Sequence, residues 1–300
     1  MQSQPLHFNP STHETPRLLL PVPASVFAER AGRFETLAQG HSLEAWLGFL
    51  ASLSRAQHEL LADLPALPLP DAAAIGRSIE HGMPPLDPSM PPPVWREVLR
   101  ALVARLADAL PDAGRAAIER LGSAGDAQLD RLAALLLDGE AGPEEATQLP
   151  FVAAALQVVF TGLAARLDAN RLRPPGTSQV CPCCGSPAVA SIVRLGSEIN
   201  KLRYLHCSLC NSEWNHPRAT CAICGGDEGI ALQQIDGTNG AVQAETCDSC
   251  KSYLKIFQQE KDPRIDPVAD DLATLALDIL VDESGYSRSG PNLLLAGTQG

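Results

Sequence analysis

Four short cysteine motifs between positions 181 and 250 decide how this chain folds. They read CPCC at 181–184, CSLC at 207–210, CAIC at 221–224 and CDSC at 247–250. In each half of the stretch 22 residues separate the two Cys-x-x-Cys pairs, and adding 40 to the first-half positions gives the second-half positions. The stretch is therefore a tandem repeat of one C-x2-C-x22-C-x2-C unit.

The repeat indicates two metal sites. Two thiolates on one tight turn bind an ion from the same side, and a second pair completes a tetrahedral set of four sulfurs. Such a set suits Zn(II), or a single iron as in rubredoxin. Disulfides or redox dithiols are the alternative use of these pairs. The predicted ligands are Cys181, Cys184, Cys207, Cys210, Cys221, Cys224, Cys247 and Cys250.

The spacing leaves open how the pairs combine. Sequential pairing keeps each ion within one repeat, whereas a cross-braced arrangement of the same pairs has the same spacing. The ninth cysteine, Cys183, is also ambiguous, because Cys181-x-Cys183 has a spacing that can bind a metal. Since the repeat places Ile223 at the position equivalent to 183, we interpret Cys183 as a free thiol beside the first site.

Length and composition favour a globular protein of more than one domain. The chain has 300 residues and is 45% apolar, which is enough for a core in each of about two domains. No run reaches the ~18 apolar residues of a membrane span. The apolar segment after position 17 is interrupted by Pro21 and Pro23, so it is a poor export signal. We therefore expect a cytoplasmic protein whose thiols stay free to bind metal, with no membrane insertion.

The charge distribution argues against nucleic-acid binding. The formal charge is −12. Residues 176–300, which contain the cysteine repeat, carry 9 Lys and Arg against 15 Asp and Glu. Nucleic-acid binding draws much of its affinity from Lys and Arg on phosphates. We therefore predict no nucleic-acid partner, although zinc ribbons elsewhere often have one.

The first half of the chain predicts an all-helical domain over residues 27–173, after a tail at 1–26. Leu and Trp recur there at helical spacing, and no stretch alternates with a period of two. Ser42 is the predicted N-cap of the second helix. The Pro-rich segment 65–93, around a short helix, is expected to form an ordered arm or loop over the surface. Its run at 83–87 is either a rigid connector or a partner-binding site.

The second half predicts two rubredoxin-like or zinc-ribbon domains, at 178–216 and 217–262, and a C-terminal helix with a tail at 263–300. Each ribbon is a cysteine pair, a hairpin and a second pair. Such a unit is too small for a core of its own, so metal supplies much of its folding free energy, about 10–16 kcal/mol in zinc-finger peptides. The fold class is thus α plus a small amount of β.

Several runs outside the cysteine spacing resemble one protein family, the formate dehydrogenase accessory (formation) proteins. The resemblance is dense over about residues 180–290 and sparse before residue 170. Its motifs are the runs at 84–87, 181–186, 203–210, 213–214, 244–256, 259–263, 268–273 and 285–289. At position 183 this chain has a cysteine where the family pattern has an apolar residue.

The resemblance implies a role that composition does not. Members of this family are non-catalytic, cytoplasmic assembly factors that bind the catalytic subunit of molybdenum- or tungsten-dependent formate dehydrogenases. Their cysteine repeats resemble rubredoxin and are taken to hold iron. Carried over to this chain, the eight paired cysteines would bind two metal ions, with iron favoured over zinc.

Two alternatives remain beside the assembly role. One is an iron protein that transfers electrons or senses redox state during dehydrogenase activation. The other is a nucleic-acid-binding ribbon, which the acidic charge opposes. We predict no enzyme activity, because no nucleophile–base set or phosphate loop is recognisable and closed four-sulfur sites leave no open coordination position.

Overall fold

The computed structural model describes residues 16–107, 112–172, 179–196 and 201–295. Most of the predicted N-terminal tail, the junction between the predicted helical domain and the first predicted ribbon, and the end of the predicted C-terminal tail lie outside these ranges. The predicted fold class is confirmed, because a helical part is followed by a sheet-rich part and a C-terminal helical segment.

The helices are α1 (Val26–Ala38), α2 (Glu44–Asp63), α3 (Ala72–Glu80), α4 (Val94–Leu106), α5 (Asp112–Ser123), α6 (Asp126–Asp138), α7 (Leu149–Ala164), α8 (Ala269–Ala273) and α9 (Leu275–Glu283). The strands are β1 (Leu18–Leu19), β2 (Ala188–Arg194), β3 (Leu202–Cys207), β4 (Glu213–Asn215), β5 (Ile230–Gln233), β6 (Val242–Cys247), β7 (Ser252–Gln258) and β8 (Ser287–Arg288). We call β2–β4 the first ribbon and β5–β7 the second ribbon.

Helix α7 is the centre of the helical part. Its sequence is apolar on all sides, with Pro150 in the first turn, and a helix of that kind is stable only when it is surrounded. It packs against α2, α4 and α6, and nearly all of its side chains are buried. Across the described ranges, none of the helices has the combination of length and apolarity needed to traverse a bilayer.

The start of α2 differs from the predicted one. The helix begins at Glu44, and its first turn receives no side-chain cap from Ser42. Instead, the ring Nδ1 of His41 accepts a hydrogen bond of 3.0 Å from the Leu43 N–H. The imidazole reaches the helix start from two residues before it, so the predicted Ser42 cap is wrong.

The Pro-rich segment connects the helical part to the first cysteine motif. Asp71 caps α3 by accepting a 2.7 Å bond from the Ala74 N–H, as its position after the prolines suggests. Further on, Leu86 is buried and its N–H donates to the Cys183 carbonyl at 3.0 Å. One side of this segment is therefore bound to the first ribbon.

The two ribbons share one sheet. Its strand order is β1-β4-β3-β2-β7-β6-β5, with β8 attached to β7. Neighbours within each ribbon are antiparallel, but β2 and β7 pair in parallel, with Ser191 opposite Ile256. The last strand of the second ribbon thus covers the outer edge of the first strand of the first ribbon. The separate hairpins that the sequence predicts are fused through this contact.

The predicted last helix is divided at Thr274 into α8 and α9. Asp270 lies in the first turn of α8, and its main contact is with the helical part. Its carboxylate is buried and accepts a 2.8 Å bond from Nε of Arg33 on α1. This ion pair joins the C-terminal segment to the helical part.

A second buried charge cluster lies between β7 and the C-terminal helices. Lys255 is almost fully buried, and its Nζ lies 3.2 Å from the Asp271 carboxylate and 2.5 Å from that of Asp278. Arg288 contacts the same two carboxylates at 2.6 and 3.1 Å. Two cations balance two anions, which makes the burial of all four charges tolerable.

Candidate metal centres

The first candidate centre is formed by Cys181, Cys184, Cys207 and Cys210, which we call the first cluster. The Sγ atoms are 3.5 Å apart between Cys181 and Cys210, and also between Cys184 and Cys207. A tetrahedral ion with metal–sulfur bonds of about 2.3 Å needs sulfurs about 3.8 Å apart. All four thiols are at most 1% exposed. The arrangement has the size and donor chemistry of a closed four-sulfur site.

The second cluster consists of Cys221, Cys224, Cys247 and Cys250. Two of its Sγ–Sγ distances, Cys221 to Cys250 and Cys224 to Cys247, are 3.8 Å. Cys224 is exposed and Cys250 is half-buried, so solvent reaches this cluster directly. The two clusters are therefore equal in donors and unequal in access.

Both clusters combine pairs from one repeat. The structure brings the first motif together with the second and the third with the fourth, which selects the sequential arrangement over the cross-braced one. The reason is local: each hairpin returns the chain to its starting cysteine pair, as the antiparallel pairing of β2 with β3 and of β5 with β6 shows. That these eight side chains are metal ligands stays a prediction.

The residue that follows each cysteine pair has a left-handed backbone conformation. Gly185 and Gly225 follow the first pairs at φ 76° and 74°, and Asn211 and Lys251 follow the second pairs at φ 58° and 53°. This turn directs main-chain N–H groups at the sulfurs; the Cys210 N–H, for example, donates to the Cys207 Sγ at 3.3 Å. Such donors stabilise the charge of a thiolate.

Cys183 lies beside the first cluster and not within it. Its N–H donates to the Cys181 Sγ at 3.4 Å, and the N–H of Ile223 does the same to Cys221 at the same distance. The two residues therefore occupy equivalent places in the repeat. The Cys183 side chain is fully buried. This position agrees with the interpretation of Cys183 as a buried thiol outside the ligand set.

Burial affects the proton affinity of the thiols. It raises the pKa of Cys181 and Cys207 well above the ordinary value, and that of Cys221 to about 12. A raised pKa means that these three thiols must each lose a proton before they bind a cation. Metal binding would therefore release protons, and acid would oppose it.

The second motif of the first cluster is connected to a buried polar group. His206 is buried, and its ring lies 2.7 Å from the Glu213 carboxylate through Nδ1. Burial acts to raise the pKa of Glu213, but the charge of Arg194 and the bond from His206 outweigh it and lower the pKa to about 2. His206 is therefore a buried support of the second motif and not one of the four clustered thiols' partners in the candidate ligand set.

Sequence reasoning missed the residues that attach the first cluster to the helices. The Asn211 amide accepts a 2.8 Å bond from Arg30 of α1 and donates a 2.8 Å bond to the Thr161 hydroxyl of α7. Arg30 also contacts Asp266 at 3.2 Å. The available signal was Asn211 itself, an asparagine in the left-handed position that glycine occupies after the first pairs.

Fold and site together define a class of protein in which a helical part is followed by a sheet that carries two four-cysteine clusters. Models of the FdhE N-terminal, central and C-terminal domains match residues 15–177, 180–218 and 219–295. The chain belongs to the FdhE family. The family resemblance inferred from the motifs is thereby confirmed.

Individual relatives agree with this assignment. The chain is 36% identical to "Protein FdhE" of Salmonella arizonae over 95% of this chain and 93% of that protein. It is 39% identical to a "Protein FdhE homolog" of Pseudomonas aeruginosa over 90% of each. The crystal structure of the FdhE protein from Pseudomonas aeruginosa superimposes with a TM-score of 0.84 at 38% identity, covering 94% of this chain and 99% of that chain.

Proposed function

We propose that this chain is a non-catalytic accessory protein required to form active formate dehydrogenase in the cytoplasm. It acts by binding the catalytic subunit of that enzyme before assembly is complete. The observation that carries the proposal is membership of the FdhE family over nearly the whole chain, together with both four-cysteine clusters. Family membership supports a role in the formation of formate dehydrogenase. Clusters of four cysteines leave no open coordination position for a substrate, which supports a role other than catalysis.

The proposal includes two bound metal ions, one in each cluster, with iron favoured and zinc as the alternative. The donor set fits such ions, because four cysteine sulfurs suit both iron and zinc. At the first cluster the ion would stabilise the contact between ribbon and helices, since its ligands are continuous with the apolar core. At the second cluster it would hold the β5–β6 hairpin closed at the surface.

A genetic test addresses the function directly. A strain that lacks this gene is complemented with the wild-type chain, and formate dehydrogenase activity and binding to the catalytic subunit are measured. Activity should require the chain, and the purified subunit should be retained on it. Full dehydrogenase activity without the chain would refute the assembly role, and absence of binding would refute the proposed partner.

Metal content is measured on protein purified without air. Iron near two per chain, with thiolate-to-iron absorption bands after oxidation, supports iron sites of the rubredoxin type. Zinc near two per chain without colour assigns the clusters a structural role and leaves binding of the subunit as the activity of the chain.

One observation favours a second candidate, electron transfer during activation of the dehydrogenase. Cys224 is exposed, so an iron ion in the second cluster would lie within reach of a redox partner. This candidate requires a reversible iron couple. Equal dehydrogenase activation by chains loaded with zinc alone and with iron would exclude it.

A further inference from the structure

The two ribbons use equivalent strands differently. Adding 40 to positions in β2 gives positions in β5, so Ile192 corresponds to Leu232. In the first ribbon this strand has a neighbour on both sides, β3 and the parallel strand β7. In the second ribbon β5 pairs with β6 and ends the sheet. The edge that accepts a strand in the first ribbon is therefore open in the second.

The hydrogen-bond phase of β5 shows which peptide groups face outward. Gly229 accepts a 2.9 Å bond from the Asp248 N–H, and bonded pairs alternate along antiparallel strands. Ala231 and Gln233 therefore bond to β6, whereas the N–H and C=O groups of Ile230 and Leu232 point away from it. Among the residues that the structure describes, no other strand pairs with this edge.

The edge strand is short, but it lacks several of the features that usually prevent strand addition. Soluble proteins protect sheet edges with proline, lysine, bulges or a covering segment. Residues 229–235 contain neither proline nor lysine, and the described pairing of β5 with β6 has no bulge. The apolar side chain of Leu232 is 52% exposed at the middle of the strand. The strand thus offers both main-chain and apolar contacts.

The charge around β5 is of one sign. Residues 219–250 contain five carboxylates and no Lys, Arg or His. Asp227 and Glu228 just before the strand and Asp236 just after it are exposed. Complementary charge sets the choice and rate of association at such surfaces, so the segment that fits here carries Lys or Arg.

We propose that the outer edge of β5 receives an extended, basic segment of the partner protein as an additional parallel strand. The strand β7 provides the precedent for this geometry, because it lies in this manner on β2. The segment 251–258, KSYLKIFQ, has one lysine in that strand and one just before it. Main-chain hydrogen bonds to β5 would give affinity, and the exposed carboxylates of Asp227, Glu228 and Asp236 would favour a positively charged segment. The proposal rests on the proposed function for the identity of the partner, the catalytic subunit, and names the surface that it uses.

A substitution at one residue tests the edge. Leu232→Pro removes an N–H that points outward, so it blocks strand addition without removing a bond to β6. The matched control, Leu232→Ala, keeps the N–H and removes only the side chain. Metal content and the thermal unfolding midpoint show that each variant is folded. We expect the Kd for the catalytic subunit to rise at least tenfold for Leu232→Pro and less for Leu232→Ala.

A second measurement does not depend on the dehydrogenase. A fluorescent peptide, KSYLKIFQ, is titrated with the complete chain, and its anisotropy is recorded at low and high salt. Binding should weaken at least tenfold in Leu232→Pro, and salt should weaken binding to the wild type more than binding to the D227N/E228Q/D236N variant. No binding to the wild type, or equal binding to Leu232→Pro, overturns the proposal.

The two measurements separate the two hypotheses. If the catalytic subunit binds wild type and Leu232→Pro equally, the edge is not the docking surface, although the proposed function stands. If the subunit does not bind the wild-type chain, the proposed function fails, and the peptide alone decides whether the edge receives a basic strand.

Discussion

The unequal burial of the two clusters predicts that the two proposed metal ions leave the protein at very different rates. A chelator reaches the second cluster through Cys224, which is exposed, without a prior opening of the chain. At the first cluster all four thiols are at most 1% exposed and belong to the main apolar core. Release from the first cluster therefore requires an opening of that core.

The structure sets the magnitude of the difference. Opening a packed core costs a large part of the stability of a domain, at least about 5 kcal/mol. Each 1.4 kcal/mol is a factor of ten, so we expect release from the first cluster to be slower by a factor of at least about 4,000. The assay is zinc-loaded protein mixed with the coloured chelator 4-(2-pyridylazo)resorcinol at neutral pH. Absorbance should rise in two phases of equal amplitude.

A variant assigns the phases. Cys224→Ser should remove the fast phase and keep the slow one, because it changes only the exposed cluster. Cys184→Ser, its equivalent in the first repeat, should remove the slow phase or prevent folding. A single rate constant for both ions, or loss of the slow phase in Cys224→Ser, would refute the argument from burial.

Three further predictions concern buried groups. Lys255→Met leaves two carboxylates with one cation, so it should lower the free energy of unfolding in urea by about 3–5 kcal/mol, and the K255M/D278N variant should recover much of this loss. The pKa of Glu213 in the folded protein is about 2, so its charge stabilises the fold fully above the unfolded pKa of 4.5. This stabilisation is lost as the pH falls through 2. Glu213→Gln should therefore lower the free energy of unfolding, relative to wild type, by about 3 kcal/mol at pH 7 and by less at pH 3. Cys183→Ser should leave two metals per chain, and loss of one would place Cys183 in the ligand set.

The cysteine spacing was sufficient to predict the two clusters, because a pair of thiolates on a tight turn has few other uses. Helical periodicity was likewise sufficient for the helical part, where apolar side chains at helical spacing face a common core. The position of Ser42 was misleading, since a capping sequence competes with any nearby acceptor, and His41 supplied one.

The difference in solvent exposure between the two clusters was not predictable from the repeat. Both have the same spacing, and their difference comes from contacts made by distant residues. Leu86 covers the first motif and Asn211 binds to α7, whereas Cys224 of the second cluster stays exposed. The parallel pairing of β2 with β7 could not be predicted from the sequence either, because it depends on which edge of each ribbon the rest of the chain leaves free.

The central position of α7 has a consequence for the order of events during synthesis. The helix leaves the ribosome before the first ribbon exists, yet Gln157 and Thr161 on it bond to Ser208 and Asn211 of that ribbon. This side of the newly made helix stays uncovered until the ribbon beyond it is translated and, if the proposed metal sites form, closes around an ion. A shortage of metal would then prolong exposure of apolar helix to proteases and chaperones. The cellular level of the folded protein should therefore follow metal supply even when its messenger RNA is constant.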